Sequence, residues 1–479
     1  MAEIHQNATL TPTKLELLPE WMARQRWYAA KGRLPVLRKL WSWRLDDPAG
    51  QVGIETMIVV DEGGAEPVVY QVPLTYRAAP LEGAQTALVG TLEHSVLGRR
   101  WVYDGTHDPV YAAQLRALVL EQAVPQSSSQ SDTPEPAVIG ARHPSWTTET
   151  ELRASKVLSG EQSNTSIVFD CLDADGLPQP LICKVFRTLQ SGENPDVTVQ
   201  GALSEAGSTR VPTMVGTVSA TWPAARAGEA AAYGHLAFAQ QFFPGTEDAW
   251  RVALRAIGAG EDFTGPAGDL GAATAEVHEL LAGVLPTEAI SSEAVAAIVA
   301  GMRGRYIAAA SEVPALAAHE QRIAAVFDQA VNAAWPALQR IHGDYHLGQV
   351  LQVPERGWVL LDFEGEPLRP LSERSRPDLA LRDIAGMLRS FDYAAGSWEQ
   401  SHPGLSAREW AAAAQRAFLE GYAAASGRDP REDAALLIAF QLDKALYEVV
   451  YEARNRPTWL TIPTHAVVRL LDDARKDLT

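Results

Sequence analysis

The stretch IHGDYHLGQVLQVPERGWVLLDFEGEP, Ile341 to Pro367, decides how the chain reads. It gathers Asp344, His346, Gln349, Asp362, Glu364 and Glu366 around two short apolar runs, QVLQV and WVLLDF. Runs of this length and composition are strands, and polar residues flanking strands at a turn are exposed together at one edge. A carboxylate there can accept a hydroxyl proton. Amide and carboxylate oxygens a short distance on can hold Mg²⁺, a hard cation that takes oxygen ligands. Asp344 is therefore the candidate base, and Asp362, at the end of WVLL, a candidate metal ligand. Any one of these residues alone would read equally well as a capping carboxylate in a solvated loop; it is the constellation that points to chemistry.

Upstream, Lys184 sits inside PLICKVF, with apolar neighbours on both sides. A lysine in such a strand must reach an edge or meet a negative partner. Phosphate suits it, because a compact ammonium on a flexible stem binds phosphate as a point charge. The turn SGEQSNTS, Ser159 to Ser166, precedes it and offers small residues whose amides and hydroxyls could cover phosphates. Small polar turn, strand lysine, helical connection, then H-G-D-x-H-x-x-Q and D-F-E is the order of parts in phosphoryl transfer on a kinase-like fold. In that scheme Asp344 takes the place of the catalytic-loop Asp, Gln349 that of the metal-binding Asn, and Asp362 that of the DFG Asp.

Around this centre the chain divides by composition. IETMIVV (Ile54 to Val60) and PVVYQVPLTY (Pro67 to Tyr76) flank the turn-like DEGGAE, a hairpin signal, and YAAQLRALVLEQ (Tyr111 to Gln122) has helical spacing. PQSSSQSDTPEP, Pro125 to Pro136, reads as a linker or a long mobile loop. Strands SKVLSG, NTSIVFDCLD and PLICKVFRT follow, and from about Thr246 the sequence turns Ala-rich and helix-forming, with Ser406 and Glu409 spaced as a capping box. The expected class is α+β, a bilobal protein-kinase-like fold: a small N-terminal unit over residues 1–130, a β-rich lobe over 131–245 and a helical lobe over 246–479.

The length, 479 residues, suits a few compact units, and 46% hydrophobic residues exclude disorder as the dominant state. A net charge of −18 argues against a nucleic-acid coat or a membrane-surface protein, both of which need clustered Lys and Arg. No apolar run is long enough for a transmembrane helix, and MAEIHQNATLTPTKLELLPEW lacks the pattern of a signal peptide, so the cytoplasm is the expected location. Cys171 and Cys183 make neither a disulfide framework nor a zinc site.

The chain also resembles the maltokinases, relatives of the aminoglycoside phosphotransferases. The resemblance is carried by RQRWYAAKGR (Arg24 to Arg33), GEQSNTSIVF (Gly160 to Phe169), KVFR (Lys184 to Arg187), HGDYHLGQVL (His342 to Leu351), DFEGEP (Asp362 to Pro367), LRDIAGMLRSFDYAA (Leu381 to Ala395) and DKALYEVVYEARNRPTWLTIP (Asp443 to Pro463). It implies ATP- and Mg²⁺-dependent phosphorylation of maltose to maltose 1-phosphate on the route to glycogen, an N-terminal cap, and a trehalose synthase-type partner enzyme. It places Lys184 on the α- and β-phosphates beside Ser163, Asn164 and Thr165 of the polar turn, Asp344 as base, and Gln349, Asp362 and Glu364 around the metal. Gln240, Gln241, Phe242 and Phe243, in AFAQQFFPGTED, would hold adenine through the backbone. One departure stands out: where the family has a glutamate to pair the strand lysine, this chain has Thr198, which leaves Asp196, Glu205 or no carboxylate for Lys184.

For the sugar, charged groups beside aromatics suit a polyhydroxyl ligand. His346, Arg382, Asp383, Arg389, Tyr447, Glu448, Tyr451, Glu452 and Trp459 are the candidates. Tyr447 and Tyr451, like Glu448 and Glu452, are four apart, so a half-buried helix with one polar edge accounts for the same pattern. Trp27 and Lys31 read as structural. Glucosamine is the rival acceptor, and a pseudokinase the rival of another class, although Lys184, Asp344, Gln349 and Asp362 are all in place.

Overall fold

The computed structural model describes residues 8–130, 133–159, 163–366 and 369–476. It forms two compact units, Met1–Val197 with Thr213–Pro244, and Thr198–Pro212 with Gly245–Thr479.

The first unit holds two antiparallel sheets. One runs Leu10–Thr11, Leu88–His94, Gly98–Asp104, Val68–Arg77, Gly53–Asp61, Leu37–Leu45, Gln126–Ser127, with Thr188–Leu189 paired to Val68–Arg77 off this path. The DEGGAE turn closes the expected hairpin, with Asp61 opposite Val68 and Val59 opposite Tyr70. The other runs Val138–Arg142, Met214–Trp222, Ala232–Gln241, Leu181–Phe186, Asn164–Leu172, Glu151–Val157. Lys184 is on an interior strand of it, opposite Ser166 on one side and Phe238 on the other.

Helix Pro109–Leu120 starts where Asp108 caps the Val110 N–H and proline takes the first turn, where its missing N–H costs nothing. Its Leu115 and Leu118 share one core with Trp43 and Ile54 of the first sheet and Ile167, Cys183 and Phe238 of the second. Gly140 lets the helix approach: a Cβ there would lie 2.0 Å from the Leu118 carbonyl oxygen. Fully buried Arg187, just beyond the lysine strand, bonds Asp104 at 2.6 and 2.8 Å, Thr106 at 2.9 Å and Thr165 at 2.8 Å, and stacks 5.0 Å over Trp27. Gln71 adds side-chain bonds to the Phe186 and Leu236 carbonyls at 2.9 and 2.8 Å. Lys31 donates to the Gln25 and Arg26 carbonyls, which together with the Trp27 contact gives both residues structural roles.

The Ser/Gln-rich stretch does not hang free as a linker. Gln126 and Ser127 pair with Arg44 and Trp43, and Ser127 N–H and Glu135 N–H reach the Thr133 and Pro125 carbonyls at 2.7 and 2.8 Å. A sheet edge offers unpaired backbone groups, and a polar segment without apolar demands of its own can satisfy them. Residues 131–132 of that stretch lie outside the described residues.

The second unit is helical around one large core, with a three-stranded sheet of Glu247–Asp248, Val350–Val353 and Gly357–Leu360. Its Ala- and Gly-rich composition serves close packing: helices Thr264–Val284 and Arg408–Ser426 touch so tightly that a Cβ on Gly271 would sit 2.0 Å from the Phe418 carbonyl oxygen. The capping box expected at Ser406 and Glu409 is not formed. The helix begins at Arg408, and Glu399 instead accepts the Ser406 hydroxyl at 3.1 Å and the Ala407 N–H at 2.8 Å. Among the described residues no helix is long and apolar enough to cross a membrane.

Candidate active site

The loop after Ile341 is held from below by helix Ala380–Ser401. Asp383, in the first turn of that helix and 1% exposed, accepts the His342 N–H at 2.7 Å and the Gly343 N–H at 2.9 Å. His278 Nε2 lies 3.1 Å from the same carboxylate, and its Nδ1 is 3.1 Å from the Tyr422 hydroxyl. Burial works against a charge on Asp383, but the bond and field of His278 outweigh it and hold the carboxyl below its ordinary range. Gly386 permits the close approach, since a Cβ there would lie 2.6 Å from the Tyr345 carbonyl oxygen.

His342 donates from Nε2 to the Leu361 carbonyl at 2.8 Å and packs on Phe363, with ring centroids 4.8 Å apart. Gly343 has φ +84°, a left-handed conformation that costs glycine least, and it turns the chain so that Asp344 leaves the loop. Ser390 then takes the Leu347 N–H at 3.0 Å.

Asp344 faces a cleft lined in part by Glu366, Arg369, Arg382, Asp443, Lys444 and Tyr447. Its charges alternate. Lys444 donates to Asp344 at 3.3 Å and to Glu366 at 2.8 Å, and Arg369 meets the other Glu366 oxygen at 3.0 Å. Arg382 bonds Asp378 at 2.6 Å, lies 3.7 Å from Asp443 and stacks 4.9 Å over Phe440, while Arg305 bonds Asp443 at 2.8 Å. Burial opposes ionisation of Glu366, yet Lys444 and Arg369 bring its pKa down to about 2. Burial likewise opposes the Lys444 charge, and Glu366 and Asp344 overcome it, so the ammonium stays protonated well above the usual lysine range.

At the far end of the loop Gln349 donates through Nε2 to Asp362 Oδ2 at 2.8 Å. Asp362 has φ +65°, an uncommon conformation for a residue with a Cβ. The Glu364 carbonyl accepts from Arg374 at 2.8 Å, and Glu364 itself is half-buried. Asp362 and Glu364 bring carboxylate oxygens within 4.8 Å of each other, donors of the kind hard divalent cations take, while Gln349 turns its Nε2 rather than its amide oxygen to Asp362. His346 turns its Nδ1 back to the Gly348 N–H at 3.0 Å, and burial lowers its pKa.

In the first unit Lys184 bonds Asp196 at 2.7 Å, which gives the lysine its carboxylate two residues before Thr198. Asp196 is itself placed by Asn194, whose side chain accepts the Asp196 N–H at 2.9 Å. Of the polar turn, residues 160–162 lie outside the described residues; Ser163 is exposed, Asn164 opens its strand, and the Thr165 hydroxyl accepts from Arg187. In the connector, Gln240 and Gln241 end their strand, and the Gln241 and Phe242 N–H groups go to the Thr213 and Pro180 carbonyls at 2.9 and 3.0 Å. Phe243 follows them outside the strand.

The sugar-contact candidates separate into two groups. Arg382 and Tyr447 line the cleft beside Asp344. Asp383 lines it too, but its carboxylate is spent on the loop amides and His278. Arg389, 1% exposed, bonds Glu448 at 2.7 and 3.0 Å and also meets Asp392, which places both members of the pair inside the packing of helices Ala380–Ser401 and Ala434–Asn455. Glu452, also 1% exposed, takes Arg456 at 2.6 and 2.9 Å and the Tyr393 hydroxyl at 3.2 Å. Trp459 stacks on Tyr393 and lies 4.5 Å from the Arg456 guanidinium, which is also 5.5 Å from the exposed Tyr451 ring. Sequence spacing missed Lys444, Arg305 and His278. The i, i+3 offset of Lys444 from Tyr447 was the available signal.

Residues 21–108 match the maltokinase N-terminal cap domain, and residues 215–436 match the phosphotransferase enzyme family known as APH. A glucosamine kinase of Streptacidiphilus jiangxiensis is 31% identical over 294 residues, 58% of this chain and 65% of that protein. A glucosamine kinase of Mycolicibacterium smegmatis is 34% identical over 138 residues, 28% of this chain and 34% of that protein. The chain thus spans just under two thirds of one relative's length and about a third of the other's. A solved glucosamine kinase in complex with glucosamine, ADP and inorganic phosphate superposes with a TM-score of 0.65 at 23% identity, covering 96% of this chain and all of that one, a likeness of fold. With Asp344, Gln349 and Asp362 on one loop-and-strand unit inside the phosphotransferase match and the cap match before it, the chain carries a maltokinase-type N-terminal cap domain followed by a domain of the phosphotransferase enzyme family.

Proposed function

We propose that the protein is an ATP-dependent sugar kinase that phosphorylates maltose at its anomeric hydroxyl, giving maltose 1-phosphate. The observation that carries this reading is the placement of Asp344 on a loop pinned through its backbone, facing a cleft of alternating charges. Asp344 takes the proton of the attacking hydroxyl. Lys184, aligned by Asp196, draws the nucleotide phosphates, and backbone groups of the Gln240 to Phe243 connector receive adenine. Asp362, Gln349 and Glu364 suit Mg²⁺, which when bound neutralises charge on the transferring phosphoryl group. Arg382 and Tyr447 bear on the sugar hydroxyls and ring face.

A second reading, glucosamine as acceptor, is favoured by the names of the relatives. Against it, the Glu366 and Asp443 carboxylates of the cleft already have cationic partners, so an ammonium ligand would have to displace a guanidinium or an amine to be recognised. A neutral polyhydroxyl ligand needs no such exchange. ADP release with ATP and Mg²⁺ against maltose, glucose, glucosamine, trehalose and an aminoglycoside tests both: selective turnover of maltose supports the first reading, selective turnover of glucosamine the second, and no turnover of any sugar removes both.

A further inference from the structure

We infer that Lys444 sets the acceptor class of the cleft by charge, admitting neutral sugars and repelling amino sugars at the position nearest Asp344. The inference rests on the sugar-kinase reading above and adds to it a residue and a physical cause. Among the described residues Lys444 is the cation paired with Asp344, with its amine 3.3 Å from one carboxylate oxygen and 2.8 Å from Glu366. It is held in three ways. Its stem issues from helix Ala434–Asn455, the Tyr447 ring lies 5.1 Å from its ammonium, and Glu366, which it bonds, is fixed from the other side by Arg369.

The ammonium therefore has little freedom to withdraw. Any acceptor hydroxyl that reaches Asp344 arrives beside a fixed positive charge. For a neutral sugar that charge is a hydrogen-bond donor to a neighbouring hydroxyl. For a protonated amino sugar it is a like charge that already holds the Asp344 and Glu366 carboxylates, so an incoming ammonium competes with Lys444 for the same two acids in a part-buried cleft. Arg382 and Arg305, further along the cleft, are each paired with Asp443 or Asp378 and add no net positive charge beside it. Specificity of this kind comes from repulsion of the wrong ligand as much as from attraction of the right one. No bond is made or broken by Lys444; the proton moves to Asp344 and the phosphoryl group to the sugar oxygen as in the parent reading.

The experiment compares glucose with glucosamine, which differ in a hydroxyl against an ammonium on the same ring. With the wild-type protein both are measured as substrates and as competitive inhibitors of maltose phosphorylation. The expected result is that glucosamine is poorer than glucose by about tenfold or more in both measurements. Lys444→Met, which keeps the length of the stem without the charge, and Lys444→Gln are expected to reverse or erase that ratio, whereas Lys444→Arg keeps it. If wild type uses or binds glucosamine as well as glucose, the inference is overturned even when no variant folds. An unchanged ratio in folded Lys444→Met would also overturn it while leaving the kinase reading standing, because turnover of maltose itself reports on that reading.

Discussion

The Asp383 carboxylate accepts the His342 N–H at 2.7 Å and the Gly343 N–H at 2.9 Å, so one buried acid fixes the backbone from which Asp344 projects. Asp383→Asn replaces an acceptor oxygen by an amide that must point its own hydrogens at one of those N–H groups. We predict a fall in kcat of about a hundredfold, since small misplacement of a reacting group is costly, with the KM for ATP little changed. Steady-state kinetics in both substrates checks this. Loss of ATP affinity without loss of kcat would show that Asp383 supports something other than the loop.

Lys184 and Asp196 make a second pair with a functional consequence. Asp196→Ala leaves the strand lysine in place on an interior strand but removes its carboxylate at 2.7 Å. Nucleotide binding by calorimetry should weaken by about tenfold, the scale of one hydrogen bond to a charged group. Asp196→Glu should recover part of it.

Arg389 and Glu448 separate a packing role from a sugar-contact role. Removing Arg389 leaves Glu448, 9% exposed, without its bonded cation, and removing Glu448 leaves Arg389, 1% exposed, with Asp392 alone. Arg389→Met or Glu448→Gln alone should therefore cost about 3–5 kcal/mol of stability, and the double variant should regain most of it. Denaturant unfolding of the three variants measures the coupling. A Glu448→Gln protein of full stability with a raised sugar KM would make Glu448 a ligand contact instead.

The strand pair that carries the candidate site was readable in the chain. Asp344, Gln349 and Asp362 are legible because a strand pair forces its flanking polar residues to one edge, and the pair Val350–Val353 and Gly357–Leu360 forms where the apolar runs predict it. The tertiary partners were not legible. Nothing in the spacing distinguishes Asp196 from Glu205 as the mate of Lys184, because the choice depends on where the helix Pro195–Glu205 starts against the sheet. The i, i+4 repeat of Glu448 and Glu452 correctly marks one face of a helix, but not that Arg389 and Arg456 would cover it and bury it. Lys444 is hidden for the converse reason. It is a single cation in an apolar helical run, and only the fold shows that its face opens on Asp344.

Glu366 gives the stability a signature in pH. Its carboxyl has a folded-state pKa of about 2 against an ordinary value of 4.5, so it binds fewer protons folded than unfolded within that window. Its contribution is present above about pH 4.5 and is lost as the pH falls toward 2. Urea midpoints taken across this range should show wild type losing stability faster than Glu366→Gln as acid is added, the two curves converging at the acid end. Parallel curves would mean that Lys444 and Arg369 do not hold Glu366 ionised.

The central claim is that Asp344 activates a sugar hydroxyl for phosphoryl transfer, and ³¹P NMR of ATP, Mg²⁺ and maltose with wild type and Asp344→Asn tests it most directly. The account predicts a phosphate ester on the anomeric carbon, formed one for one with ADP, and a rate lower by about a hundredfold to ten-thousandfold in the variant, with nucleotide binding retained. Release of ADP with inorganic phosphate only, or an ester formed equally fast by Asp344→Asn, would contradict it.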